Sequence, residues 1–413
     1  MNPTPLDATE HRLLQTIQQY QPEIIQFCSR LIHIPSVNGI HDEIDLAQAI
    51  GDQARALGLH VQFAGENPRR PNVIVSTAAE GETGLLLLGH LDTVPPGDES
   101  QWSVPPFSGK IVEGKIYGRG AIDTKGGMAA ALYALAALRV VTGEKLSGRA
   151  QLICVPHEET GATGTLGIKY LHANGLLQGK GAIYAYSGRQ ITLGHRGLIR
   201  YRLLCKGEAI HTGAAEWQEK TLGANAVTGM ARLLVEIETL EAPYSSAKYF
   251  ERFKTVFTPG TMVSGGVSIN IVPDSCEALM DIRLTPEFDQ KQVEELLNGC
   301  IARVIAARPK FQFSYELLNY ARAAISDDQS AIVKVLESVV ETVTSTTSER
   351  VVAGPANEGY LLIERGIPTI CGFGPTGENA HTTDEYVDIQ GLVDAALMFG
   401  LTAWRMSNLQ AQD

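Results

Sequence analysis

A chain of 413 residues is too long for one ordinary domain, so two are expected, with ample length to bury a sizeable core. Apolar residues make up 44% and charged ones 19%, and 41 glycines with 19 prolines set aside low complexity. The formal net charge is −12, and no Lys/Arg cluster offers the basic footprint that a phosphate backbone requires, which excludes nucleic acid as a partner.

The opening residues, MNPTPLDATEHRLLQTIQQYQ, contain no apolar core flanked by basic residues, and no later stretch is apolar enough to span a bilayer, so a cytoplasmic protein with no membrane association is expected. Cys28, Cys154, Cys205, Cys276, Cys300 and Cys371 include no CxxC pair and read as free thiols of a reducing compartment. Up to about residue 190, strands are expected at Asn72 to Ser76, Leu85 to Gly89 and Ala150 to Val155, with helices at 43 to 57 and 126 to 141. The second helix, GGMAAALYALAALRVV, is so rich in Ala and Leu that it should be buried nearly all round. That alternation predicts an α/β sheet covered on both faces.

From about residue 197 the pattern becomes a strand (199–206), a helix (223–239), strands at 263–271 and 276–284, a helix (289–307) and a strand (311–317). The order βαββαβ is the split ferredoxin-like unit, complete in itself and suited to be an inserted α+β lid over 194–319. After 320, helix and strand alternate again and GIPTICGFG at 366–374 reads as a buried strand. A first domain of residues 1–193 and 320–413 would therefore surround the insertion.

Four short runs carry the chemistry. Gly89-His90-Leu91-Asp92-Thr93 follows the apolar run LLLL; residues two apart share a strand face, so Asp92 can hold one nitrogen of His90 while the other faces a metal. Tyr117 to Gly127 packs four glycines into eleven residues and places Asp123 in a loop between buried elements, without the GxxxxGK[ST] spacing of a phosphate loop. His157-Glu158-Glu159-Thr160-Gly161 sets two carboxylates side by side at a strand end, an arrangement that is costly unless one binds a cation or keeps a proton. Near the C-terminus, His381-Thr382-Thr383-Asp384-Glu385 lies just past a Gly-Pro loop. One His, one Asp, one Glu and another His at ends of predicted strands make a ligand set suited to zinc.

On these residues the chain resembles the di-zinc family of acetylornithine deacetylase, succinyl-diaminopimelate desuccinylase, aminoacylase and glutamate carboxypeptidase. The likeness runs from Ile34-Pro35-Ser36 to Glu385 through GHLDTVP at 89–95, Trp102 with PPFSG at 105–109, GRGAIDTKGG at 118–127, HEE at 157–159 and GFGPTGENAHTTDE at 372–385. It implies a zinc-exopeptidase-like mixed sheet flanked by helices, with the inserted unit serving as lid and dimerisation domain of a homodimer. It also implies that His90 serves one metal, Asp123 bridges two, Glu159 and His381 serve the second, Glu158 is the general base and Asp92 orients the site from behind. The ions are up to two Zn2+, with Co2+ or Mn2+ as alternatives. Within Gly207 to Gly213, His211 matches the residue that polarises the scissile carbonyl, supplied in dimeric relatives by the partner subunit, while Asn270 and Arg283 match positions that hold the substrate carboxylate and oxyanion region.

The pattern departs from that family in two places. Relatives carry Glu-Pro-Thr or Glu-Pro-Ser about twelve residues before the Gly of the turn matched by Gly194-His195-Arg196-Gly197; here Ala185-Tyr186-Ser187-Gly188 stands there, and Ala185 has no ligand atom. A register one residue later offers Tyr186, a poor zinc ligand unless the metal itself deprotonates it. Glu358 stands where many relatives have Asp and is expected to retain the charge. The resemblance implies hydrolysis of a linear amide in an N-acyl amino acid; the alternatives are a dipeptidase or carboxypeptidase, or a catalytically impaired binding relative because of Ala185.

Overall fold

The computed structural model describes residues 6–143, 148–159 and 164–409. Thr160 and Gly161, which close the His157-Glu158-Glu159 run, lie outside them. The chain divides into two compact units, one made of residues 1–195, 325–353 and 357–413, the other of 196–324 with 354–356.

The first unit opens with α1 (Ala8–Gln19), whose start is fixed by a reciprocal capping box between Asp7 and Glu10, followed by α2 (Gln21–Ile32) and α3 (Ile44–Ala56). Strands β1 (His60–Ala64), β2 (Asn72–Ser76) and β3 (Thr83–His90) come next, then the short hairpin β4 (Lys110–Val112) and β5 (Lys115–Tyr117). Helix α4 (Gly126–Thr142) leads to β6 (Arg149–Val155), α5 (Ile168–Ala173), β7 (Ala182–Tyr184) and β8 (Ile191–His195). The second unit then follows as β9 (Gly197–Lys206), α6 (Ala215–Gln218), α7 (Ala226–Glu238), β10 (Val256–Gly265), β11 (Ser275–Leu284), α8 (Gln290–Ala307) and β12 (Gln312–Ala321). The chain returns through β13 (Ala324–Ile325) to α9 (Ala331–Thr344), β14 (Arg350–Ala353), α10 (Gly359–Ile363), β15 (Thr369–Ile370), β16 (Gly377–Glu378), β17 (Tyr386–Asp388) and α11 (Ile389–Ser407).

The main sheet has the order β1-β2-β6-β3-β7-β15, with β3 parallel to both β6 and β7 and the β1-β2-β6 edge antiparallel. Every residue of β3 is buried, as its unbroken run of leucines requires of a strand covered on both faces. Helix α4 is buried from Gly126 through Leu138 and packs on α11, so its lack of a polar stripe matches a helix enclosed on all sides. Its glycines let it approach the sheet closely: a Cβ on Gly127 would stand 1.9 Å from the carbonyl oxygen of Ala185. The parallel strands β3, β6 and β7 end close together, at His90, Val155 and Tyr184, whereas Asp123 and His381, expected at strand ends, lie in other segments.

The second unit is a four-stranded antiparallel sheet ordered β10-β11-β9-β12, with α7 and α8 in one core with its strands. Burial alternates along β9 and β11, placing Ile199, Tyr201 and Leu203 with Ala278, Met280 and Ile282 in that core. Three expected elements differ in extent. The strand expected at 263–271 runs instead from Val256 to Gly265, because Gly266, at φ +83°, turns the chain out of the sheet and leaves Asn270 in an exposed loop. The helix expected from 223 begins at Ala226, where the Asn225 side chain accepts the Thr228 N–H. Of the strand expected at 366–374 only Thr369–Ile370 pairs in the main sheet; the N–H groups of Cys371, Phe373 and Gly374 donate to Thr192, Tyr184 and Gly188. No helix of the described residues is long and apolar enough to cross a membrane.

Candidate metal centre

His90 ends β3, and a reciprocal clamp fixes it to the glycine-rich loop: its N–H donates to Thr124 Oγ1 at 3.0 Å, and that hydroxyl donates to the His90 carbonyl at 3.2 Å. The imidazole is 1% exposed; Nδ1–H donates to the main-chain carbonyl of Asp92 at 2.8 Å, and Nε2 lies 2.8 Å from Asp123 Oδ1. The orienting role expected of the Asp92 carboxylate is therefore divided. Its carbonyl holds the ring, whereas the carboxylate, with Oδ1 3.9 Å from His90 Nδ1, accepts the N–H groups of Glu158 and Glu159 at 3.0 Å each and so shapes the turn after β6. Strand geometry could not foresee this, because Asp92 lies just past the end of β3, where alternation no longer governs.

Asp123 is placed by a residue whose role sequence reasoning missed. The buried Glu385 carboxylate accepts Arg119 Nη1–H at 2.6 Å and the N–H groups of Gly120, Ile122 and Asp123 at 3.0, 3.0 and 3.2 Å. Gly120, at φ +84°, is needed for this turn, since a Cβ there would stand 2.8 Å from Thr93 Cγ2. The signal available was a lone arginine inside a buried glycine-rich loop, which demands a buried carboxylate elsewhere. Asp384, one residue earlier, accepts Ser103 N–H and Oγ–H, both at 2.7 Å, and pins the loop that carries His381. His381 itself sits at φ +64°, a conformation a non-glycine residue keeps only where its surroundings fix it.

His381 Nε2 lies 3.1 Å from both Asp123 Oδ2 and Glu159 Oε1. His90, Asp123 and Glu159 each offer one ligand atom within 4.8 Å of the others, the one such group of three among the described residues. Three of the four residues expected to bind metal thus form one group, and His381 joins it through Asp123 and Glu159. They fit a divalent cation on two grounds: commitment of His90 Nδ1–H to a carbonyl leaves Nε2 as the ligand atom, and the 2.8–3.1 Å separations approach the roughly 3.3 Å edge of a tetrahedron with bonds of about 2.0–2.1 Å. Hydrogen bonds to Asp123 and Glu159 bring His381 up to about 10, while burial pushes Asp123 up but hydrogen bonds from His381 and His90 outweigh it and hold it well below the carboxylate range. Burial lowers His90, yet Asp123 raises it further.

Glu158 is 6% exposed, and burial, opposed by His90 and reinforced by Glu159, raises its carboxyl to about 8. It stands beside the candidate ligand Glu159 as a buried carboxyl raised towards neutrality. Behind it, buried Glu358 meets Tyr184 Oη at 3.3 Å. Burial, and then Glu158, push the Glu358 carboxyl well above its ordinary value.

At the end of β7, Ala185 is wholly enclosed, its Cβ 2.9 Å from where a Cβ of Gly127 would stand. The side chain that faces His90 is Tyr186, with ring centroids 5.7 Å apart. It is fixed by stacking on Tyr184 at 5.4 Å.

His211, Asn270 and Arg283 lie in the second unit. An isolated bridge joins His211 to Ile271, and the Asn270 carbonyl accepts Thr212 N–H at 3.0 Å, so His211 and Asn270 are neighbours. His211 Nδ1 accepts Gly213 N–H at 3.0 Å, which in the neutral ring leaves the proton on exposed Nε2. Arg283 on β11 donates Nε–H to Asp281 at 2.7 Å, a carboxylate shared with Arg200 at 3.0 Å.

His90, Asp123, Glu159 and His381 drawn together, with the buried Glu158 carboxyl beside them, form the kind of site a metallohydrolase uses. The model of Peptidase family M20/M25/M40 matches residues 86–405, and the chain belongs to that family. It is an enzyme of the metallo-amidohydrolase class. It is similar to succinyl-diaminopimelate desuccinylase 2 of Shewanella loihica, 26% identical over 89% of this chain and 96% of that protein. Acetylornithine deacetylase of Proteus mirabilis is likewise 26% identical, over 89% and 92%. Among solved structures, the M20 family metallo-carboxypeptidase Sso-CP2 of Sulfolobus solfataricus superposes with a TM-score of 0.77 at 20% identity, covering 94% of this chain and all of that one, a likeness of fold.

Proposed function

We propose that this enzyme hydrolyses the linear amide of an N-acyl amino acid, with Glu158 as the group that carries the proton. The observation that supports this best is the position of Glu158: buried, adjacent in sequence to the ligand Glu159, its own N–H held by Asp92, and its carboxyl near neutrality. His90, Asp123, Glu159 and His381 would hold the ion, zinc being best suited to two imidazoles and two carboxylates. When bound there, the cation supplies Lewis acidity that lowers the pKa of water and draws charge from a carbonyl.

Glu158 takes a proton from the attacking water as its oxygen adds to the amide carbon, then returns it to the leaving nitrogen as the C–N bond breaks, so that carboxylate and free amine leave together. His211 presents Nε2–H for the developing oxyanion, and we assign it to the site of a second copy in a homodimer formed through the second unit. Asn270 and Arg283 are proposed to orient the substrate carboxylate; Arg283, now on Asp281, would exchange one carboxylate for another.

The names of the sequence relatives favour a deacylase over a dipeptidase or carboxypeptidase. The test is a screen of N-acetyl, N-succinyl and N-carbamoyl amino acids against dipeptides with the purified, metal-analysed protein. Cleavage of dipeptides alone would replace this reading with the peptidase one.

A further inference from the structure

We propose that this centre holds one divalent cation tightly rather than two, and that Tyr186 is the residue that sets that number. The inference rests on the metallohydrolase reading above and deepens it. The candidate ligands are unevenly shared: Asp123 Oδ2, Glu159 and His381 stand together on one side of Asp123, whereas His90 alone approaches Asp123 Oδ1 on the other. A second ion would need its own donors, and imidazole from His90 with one shared oxygen of Asp123 is too few for a charged metal whose sites carry three or four protein ligands.

The residues that end β7 beside His90 are where a further carboxylate would have to stand. Ala185 is buried and carries no donor atom, and its main chain packs closely on Gly127 of α4. Tyr186 has the position. Its ring faces His90, its N–H donates to the Tyr184 carbonyl at 2.8 Å, and its main-chain oxygen packs on Gly374, where a Cβ would stand only 2.2 Å away. Below it the stack continues through Tyr184 to buried Glu358. This is a built wall: two aromatic rings and a carboxyl hold a neutral, bulky group beside His90, in place of an anionic ligand.

The experiment is metal counting on the full-length protein, equilibrated with Zn2+ or Co2+ and freed of excess, with Co2+ magnetic resonance as a second readout independent of activity. One ion per chain and an uncoupled Co2+ signal are expected. Tyr186→Phe should keep that count, because the phenol oxygen is not a ligand, whereas Tyr186→Glu should raise it to two and produce a spin-coupled pair. Two tightly held ions in the unaltered protein, or loss of the ion in Tyr186→Phe, would overturn the proposal. An unaltered protein that binds none would overturn the metallohydrolase reading beneath it, so the two failures are distinguishable. Should Tyr186→Glu not fold, the unaltered protein and Tyr186→Phe still decide.

Discussion

Replacing Glu385 by alanine tests how the site is held in place. The substitution removes the acceptor of four hydrogen bonds and leaves Arg119, 2% exposed, with the Pro95 carbonyl at 3.5 Å and the face of Trp102 as its remaining partners. Breaking a buried ion pair from one side costs about 3–5 kcal/mol, because the survivor stays charged and desolvated. The three orphaned N–H groups belong to a loop that water can reach once the carboxylate is gone, so they keep the total within that range rather than multiply it. At about 2–4 °C per kcal/mol for a unit of this size, the melting temperature should fall by roughly 6–20 °C. Glu385→Gln, which keeps one acceptor oxygen but not the charge, should fall by less. Because the Asp123 N–H is among the bonds lost, metal affinity should drop with stability. Calorimetry of the metal-free protein and titration with Zn2+ measure the two effects. A melting temperature within about 2 °C of the unaltered protein would mean that Glu385 does not organise the loop, and the reasoning would fail.

Glu158→Gln should leave metal content and melting temperature nearly unchanged while turnover falls by at least ~10²-fold, as for a lost general base; turnover at the normal rate would refute the assignment. His211→Ala should lower turnover by a similar ~10²-fold with metal content intact. Mixing that protein with Glu158→Gln should restore activity through heterodimers if His211 serves a second copy, and two inactive proteins that stay inactive after subunit exchange would place His211 elsewhere. In the second unit, burial pushes Glu287 up, but bonds from Ser245 Oγ–H at 2.7 Å and Ser246 N–H at 3.0 Å outweigh it and bring its carboxyl down to about 2 from an ordinary 4.5. A depressed carboxyl contributes stability above its unfolded value and loses it as pH falls from about 4.5 towards 2, so Glu287→Gln should flatten that limb of an acid-unfolding curve.

What the sequence made legible is what periodicity and strand ends govern. The buried β3 leucines, the all-round burial of α4 and the βαββαβ order could be read because each reflects how many faces of an element are covered. The candidate ligands could be picked out because His90, Asp123, Glu159 and His381 all flank glycine-rich or apolar runs, although only the fold brings His381 to 3.1 Å from Asp123, far earlier in the chain. What escaped notice depends on local backbone direction. Asp92 turns its carboxylate to the next strand's exit rather than to His90 because it lies past the ladder, and Asn270 leaves the sheet because Gly266 permits a turn. Glu385 looked like one more polar residue in a loop; its role appears only when three N–H groups and a buried guanidinium are seen to point at it. At the end of β7 the question between Ala185 and Tyr186 was one of register, which a one-residue shift inverts.

The most direct test of the account is a single reconstitution: strip the protein of metal with a chelator, measure hydrolysis of a panel of N-acyl amino acids, then restore Zn2+ and measure again. The account predicts no cleavage by the stripped protein and recovery of amide hydrolysis, with release of free amine, when the ion returns. Cleavage that survives stripping, or a metal-loaded protein that releases no amine from any N-acyl amino acid or dipeptide, would contradict it.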